Sequence, residues 1–315
     1  MTDALTLSET TGPTGPPLRD LTIGGLLREV AEQVPDRLAL VAGVPDPAGR
    51  REWTYAELLA ETERAARALR ALFEPGERVA LWAPNLPQWI MLEFACGMAG
   101  VILVTVNPGF QARELQYVLN QSRAAGLIVL PEFRGNPMLG TATDVQPECP
   151  ELREIIRLDE WDDFLSSGDA WDGDLVDPDP MDPCMIQYTS GTTGFPKGAL
   201  LHHRGLVNNG THTADRMGAT DGSVYVLVMP LFHTGGCVLG TLSAVSKRMT
   251  IVLVEMFDPG LVLELTETYR GAGMLGVPTM LVALLEHPDF ATRDLSSVEA
   301  ICSGGSTVPA ALVER

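Results

Sequence analysis

Hydrophobic and polar positions along the chain follow two alternating periods. Short apolar, β-rich runs recur at Leu38 to Val41, Val79 to Trp82, Val101 to Val106, Leu127 to Leu130, Met185 to Tyr188, Val224 to Met229, Thr250 to Val254, Met274 to Val277 and Ala300 to Cys302. Between them the spacing becomes helical. Thr54 with Glu57 has the T-x-x-E pattern of a capping box, and Leu58, Ala65, Leu69 and Leu72 follow on one helical face, so a helix is predicted to start at that cap. Pro87, Pro259 and Pro278 are each suited to the first turn of a further helix, where the missing N–H costs nothing. Strands separated by helices predict an α/β fold with mostly parallel sheets covered on both faces.

Two stretches break this rhythm. Met1 to Asp20 is rich in Thr, Pro and Gly, lacks a basic start and an apolar centre, and is expected to be a flexible tail and not a signal peptide. Between Glu148 and Asp182 periodicity fades and acidic residues accumulate against only Arg153 and Arg157, which predicts a solvated connector. Its acids lack the spacing and central glycine of a calcium-binding loop. The most apolar stretch, Ile90 to Val106, is interrupted by Glu93, Gly97 and Gly100 and falls short of the ~20 residues of a membrane-spanning helix. No integral membrane span is predicted.

A length of 315 residues is ample for a large core, and 45% hydrophobic with 20% charged residues excludes bulk disorder. The net charge of −19 argues against nucleic acid or an anionic membrane as partner, so an anionic ligand must be held by a local site. The five cysteines, Cys96, Cys149, Cys184, Cys237 and Cys302, are odd in number and carry no zinc-type spacing; reduced thiols and a cytoplasmic location are expected.

The stretch richest in chemistry is Tyr188-Thr189-Ser190-Gly191-Thr192-Thr193-Gly194-Phe195-Pro196-Lys197-Gly198, directly after an apolar run. Small hydroxyl residues and glycines let a backbone curl with its N–H groups inward, and Lys197 adds a point charge, which together suit a polyphosphate. A flexible linker has no use for a fixed lysine. The pattern is not the G-x-x-x-x-G-K-[ST] loop of P-loop NTPases, because Pro196 precedes the lysine and Gly198 follows it. Three more segments follow predicted strands: Pro230-Leu231-Phe232-His233-Thr234-Gly235-Gly236, Gly276-Val277-Pro278-Thr279 and Ser303-Gly304-Gly305-Ser306. Ligands in such sheets bind beyond the carboxyl ends of strands, so these segments are expected to line one crevice. Of the histidines, His233 is the functional candidate, while His202, His203, His212 and His287 are expected to be surface or capping residues. Thr279 is either a helix cap or a ligand contact.

These residues resemble the adenylate-forming enzymes, and within them the fatty acyl-CoA synthetases. The loop Tyr188 to Gly198 is similar to that superfamily's phosphate-binding signature; Trp53 to Leu58, Asn85-Leu86-Pro87-Gln88-Trp89, Gly100 through Asn107-Pro108 and Glu114-Leu115-Gln116-Tyr117 also match its pattern. The resemblance runs from about Leu21 to the last residue and implies the large N-terminal domain of such an enzyme. It implies activation of a medium- or long-chain fatty acid with ATP and Mg2+, giving an acyl-adenylate, and then transfer to coenzyme A. It implies that Thr189, Ser190, Gly191, Thr192, Thr193, Gly194, Phe195, Pro196 and Lys197 surround the ATP phosphates, with Thr189 near magnesium. By the same resemblance His233 stands by the acyl pocket and the reacting carboxylate, and Gly304, Gly305 and Ser306 lie along the adenine. Two positions depart from the family pattern: His202-His203, where Ser-His is commoner, and Ser306-Thr307, where Ala-Pro is. The family's Tyr-Gly-x-Thr-Glu motif, its ribose-binding aspartate and its C-terminal domain with a catalytic lysine do not occur within the 315 residues, so the domain is expected to be incomplete and inactive as a ligase alone. An amino- or aryl-acid adenylating domain, and a non-catalytic nucleotide- or acyl-binding protein, remain alternative readings. Leu227, Val238, Leu239 and Leu242 are candidates for an acyl tunnel or simply for core.

Overall fold

The apolar runs pair into two six-stranded sheets in a computed structural model that describes residues 15, 17–176, 178–189 and 196–314. The first sheet contains β1 (Leu38–Gly43), β2 (Glu52–Thr54), β9 (Val224–Leu227), β10 (Thr250–Val254), β11 (Gly273–Gly276) and β12 (Ala300–Ser303), in the order β12-β11-β9-β10-β1-β2. The second contains β3 (Arg78–Trp82), β4 (Ile102–Val106), β5 (Ala124–Val129), β6 (Glu154–Arg157), β7 (Pro183–Thr189) and β8 (Lys197–His202), in the order β6-β5-β3-β4-β7-β8. Pairing is parallel except at one edge of each sheet, where β1 meets β2 and β7 meets β8 antiparallel. β4, β5 and β10 are buried at every position, the pattern of strands covered on both faces.

The covering layers are helical: α1 (Ile23–Gln33), α2 (Tyr55–Leu72), α3 (Pro87–Ala99), α4 (Ala112–Ser122), α5 (Met138–Val145), α6 (Trp161–Ser167), α7 (His203–Arg216), α8 (Thr234–Gly236), α9 (Ser243–Ser246), α10 (Pro259–Tyr269), α11 (Pro278–Glu286) and α12 (Ala310–Val313). One core joins Leu40 and Leu253 of the first sheet, Leu81 and Met185 of the second, and the buried faces of α1, α2, α3 and α7. These helices are therefore sandwiched between the sheets. A second core lies on the far side of the second sheet against α4 and α5, and a third on the far side of the first sheet against α10 and α11. The layers run helix, sheet, helix, sheet, helix. The run Ile90 to Val106 that is too short for a membrane is the central helix α3 and strand β4; from Trp89 to Ala99 every residue of α3 is buried. Each large side chain buried here, such as Trp82 or Phe94, contributes roughly 1.5–3 kcal/mol by leaving water. No helix among the described residues is long and apolar enough to cross a membrane.

Local signals predicted from sequence recur in the structure. Thr54 and Glu57 form the complete capping box of α2, and Pro87, Pro259 and Pro278 each open a helix. Thr279 does not cap: Val277 holds the N-cap position of α11 and no side chain caps it. The acidic stretch from Glu148 to Asp182 is not uniformly solvated, because it contains β6 and α6. Trp161, Phe164 and Leu165 are buried, and the indole N–H of Trp161 donates to Glu61 of α2 at 2.9 Å. No acid of this stretch is buried among the described residues, and Arg157 is paired to Asp159 and Glu160.

Candidate active site

β7 and β8 form a hairpin in which Thr189 stands opposite Lys197, so the predicted phosphate loop connects two antiparallel strands and does not open a helix. The Thr189 hydroxyl donates to the Lys197 carbonyl at 3.4 Å, and both residues are exposed. Ser190, Gly191, Thr192, Thr193, Gly194 and Phe195 lie outside the described residues. The exit of the loop is fixed from α4: Tyr117 donates its hydroxyl proton to the Pro196 carbonyl at 3.0 Å and accepts from Gln121 at 2.8 Å. Burial pushes the phenol of Tyr188 up to about 12, so it stays protonated and donates to the Val118 carbonyl at 3.3 Å. The chain has two lysines. Lys247 is neutralised by Asp215 at 2.6 Å, whereas Lys197 has no carboxylate partner among the described residues. A cation left unpaired in a chain of net charge −19 is available to an anion.

The second element is the turn after β9. His233 is exposed at the N-cap of α8, and its Nδ1 accepts from the Gly235 N–H at 3.0 Å. With Nδ1 taken as an acceptor, Nε2 is the ring nitrogen that makes no hydrogen bond among the described residues. Tight backbone packing shapes the turn: a Cβ on Gly236 would come within 2.2 Å of the Pro230 carbonyl oxygen, so only glycine fits. The turn continues into a π-helical segment, Cys237–Leu242. Leu227, Val238 and Leu242 are core residues here, and Leu239 packs against the same core. An apolar cavity of about 530 Å3 lies on the other face of the first sheet beneath α10, α11 and α12; Val226, Met274, Ile301 and Ser303 border it, and Thr189, Lys197 and His233 do not.

Side-chain bonds that sequence reasoning had not anticipated join these pieces. Buried Gln187 of β7 donates to the Cys237 sulfur at 3.2 Å, and the Cys237 thiol donates to the His233 carbonyl at 3.4 Å, tying the strand that leads into the phosphate loop to the His233 turn. Burial raises the Cys237 thiol well above its ordinary range, so it is a structural donor and not a nucleophile. Asn85, beyond β3, reaches across to the ends of β9 and β10. The carboxyl edges of both sheets therefore converge. Gly304, Gly305 and Ser306 follow β12, whose register with β11 sets Ser303 beside Gly276. Gly305 has φ of +80°, a left-handed conformation that favours glycine, and an added Cβ there would lie 3.5 Å from Val277. No hydrogen bond among the described residues links this segment to Thr189, Lys197 or His233. Among the described residues no group of three or more His, Cys, Asp or Glu side chains is placed to hold a metal. Of the other histidines, His202 caps α7 and His287 caps the turn after α11; His203 is buried, not superficial, and accepts from the Ile23 N–H.

The chain thus has a mostly parallel α/β fold in which the strand leading to Thr189 and the turn carrying His233 are joined through Gln187 and Cys237. The family of AMP-binding enzymes matches residues 27–315, and the chain belongs to that family. It is 36% identical over 325 residues to a putative acyl-CoA synthetase, YngI, of Bacillus subtilis, an alignment covering 93% of this chain and 58% of the relative. It is 32% identical over 339 residues to the human mitochondrial medium-chain acyl-CoA ligase ACSF2, covering 98% of this chain and 54% of that protein. The chain thus spans little more than half the length of these relatives. In fold it is similar to a long-chain-fatty-acid-CoA ligase of Archaeoglobus fulgidus, with a TM-score of 0.83, 23% identity and coverage of 98% of this chain and 62% of that one. It is likewise similar to the N-terminal domain of FACL13 from Mycobacterium tuberculosis, with a TM-score of 0.80, 24% identity and coverage of 93% and 72%.

Proposed function

We propose that this chain carries the nucleotide- and acid-binding part of an ATP-dependent acyl-CoA ligase acting on a medium- or long-chain fatty acid. The observation that carries the reading is the β7–β8 hairpin, which sets Thr189 opposite a lysine lacking a carboxylate partner among the described residues, in a member of the AMP-binding enzyme family. The names of the relatives, acyl-CoA synthetase and medium-chain acyl-CoA ligase, support the acid class.

In this reading a carboxylate oxygen attacks the α-phosphorus of ATP, the bond to pyrophosphate breaks, and a mixed anhydride with AMP results. The thiol of coenzyme A then attacks the acyl carbon and AMP leaves. Lys197 and the loop from Thr189 to Lys197 hold the phosphates and offset their charge, which is the main requirement of phosphoryl chemistry. Magnesium, bound chiefly through the phosphates, would add charge neutralisation, with the Thr189 hydroxyl beside it. A donor set of one hydroxyl without a carboxylate cluster fits such a substrate-borne ion better than a resident one. His233 presents Nε2 toward the acid, and Gly304, Gly305 and Ser306 offer backbone to the adenine.

The test is a panel of carboxylic acids with the natural polypeptide, followed by pyrophosphate release. Release with C6 to C16 fatty acids is expected; release with amino or aryl acids only would assign the other branch of the family, and release with none would remove the catalytic reading.

A further inference from the structure

We propose that Asn85 is the positioning residue that sets the His233 turn against the strand ends of both sheets. The proposal rests on the ligase reading above. Asn85 lies on the connection between β3 and α3 and is 7% exposed. Its Nδ2 donates to the carbonyls of Met229 and Val254, each at 3.1 Å, and its Oδ1 accepts from the Leu231 N–H at 2.8 Å. All three partners are backbone groups of the first sheet's side, Val254 at the end of β10 and Met229 and Leu231 in the turn after β9, while Asn85 itself belongs to a connection of the second. Met229 and Leu231 flank Pro230, whose carbonyl accepts from the His233 N–H at 3.2 Å and sits against Gly236. One side chain therefore fixes the first residues of the turn, and Gln187 with Cys237 fixes the last.

The chemistry requires a primary amide. Two carbonyls need two donors and one N–H needs an acceptor, all within the reach of a single short side chain, and only asparagine supplies this set. Aspartate has the same shape but would press a carboxylate against the Met229 and Val254 carbonyls. Buried polar groups left without partners shift until they find them, and the turn that carries His233 is what would move.

The full-length natural protein tests this, with pyrophosphate release as a function of acid and ATP concentration for Asn85→Asp, Asn85→Ser, His233→Ala and the paired variants. Expected is a fall of about 10- to 100-fold in kcat/KM for the acid, a displacement of roughly 1 Å at a reacting group being enough for that, with ATP affinity within about twofold of wild type. In the His233→Ala background the Asn85 substitutions should cost little more, since both act through one group. Equal losses in the two backgrounds, equal losses for acid and ATP, or unchanged kinetics in a folded variant would overturn the proposal. An Asn85→Ser protein that does not fold would overturn it too, because the residue would then serve the fold as a whole. If the wild-type protein releases no pyrophosphate with any acid, the ligase reading fails first, and the result is distinguishable from failure of the Asn85 role.

Discussion

At the scale of single residues, two buried titratable groups pull stability in opposite directions. Glu93 is completely buried on α3, neither carboxyl oxygen has a hydrogen bond among the described residues, and burial raises its pKa well above the ordinary value, so it is held protonated. His203 is 1% exposed, accepts from the Ile23 N–H at 3.3 Å, and burial lowers it from 6.5 to about 4. An unfolded chain takes up this proton near pH 6.5, the folded one only near pH 4. The contribution of the neutral ring is therefore complete above pH 6.5 and lost as pH falls toward 4, an effect on the order of 3 kcal/mol at most. Denaturant titrations at pH 7 and pH 4 should show that His203→Asn, which keeps an acceptor for Ile23 but does not titrate, loses less stability over that interval than wild type. Equal losses would mean that His203 titrates normally. Residues of this scale differed in legibility. Lys197 and His233 stood out because their chemistry is unusual for their surroundings, one cation among small residues and one imidazole after a strand. Asn85, Gln187 and Cys237 did not, since the bonds by which they join the two sheets span 50 to 169 residues, and no local pattern encodes such contacts. His203 next to His202 in sequence gave no sign that one would be fully buried and the other only partly.

Elements were more readable. A helix whose start is fixed by a local cap shows itself in four residues, and α2 begins where Thr54 and Glu57 require. Removing the cap hydroxyl in Thr54→Ala is expected to cost about 1 kcal/mol, read as a drop in thermal midpoint of about 2–4 °C, with Glu57→Gln milder because it keeps a side-chain acceptor. No change in Thr54→Ala would mean that packing of α2 alone sets its start. The apolar strands were legible from composition, because a strand covered on both faces needs no polar partner positions. The strands that escaped, β2, β6 and β8, share a physical cause: each lies at the edge of its sheet. β2 has one buried residue and β6 none, and β8 leaves Lys197 to Leu200 open to solvent, so these sequences lack the apolar run that burial on both faces imposes. In the acidic stretch the surplus of charge hid Trp161, Phe164 and Leu165, which are enough to dock α6 on α2.

For the whole molecule, the alternation of helices and sheets brings the carboxyl end of β3 to those of β9 and β10 through Asn85, and the proposed function rests on that meeting of two sheets. The class of fold was legible from strands alternating with helices; the division into two sheets was not, because the sequence order β1, β3, β9 carries no mark of which strands pair. The assignment to the family of AMP-binding enzymes rests on 289 matched residues, 27 to 315, and the hairpin β7–β8 supplies its phosphate-binding chemistry in the account given above. The most direct test is calorimetric titration of Mg·ATP into this chain and into Lys197→Ala. The account predicts measurable ATP binding by the parent chain and a loss of about tenfold or more in the variant, with an unchanged thermal midpoint, since Lys197 is exposed and bears no ion pair among the described residues. Equal ATP affinity in the two proteins would contradict it, and would place the phosphates somewhere other than the Thr189–Lys197 hairpin.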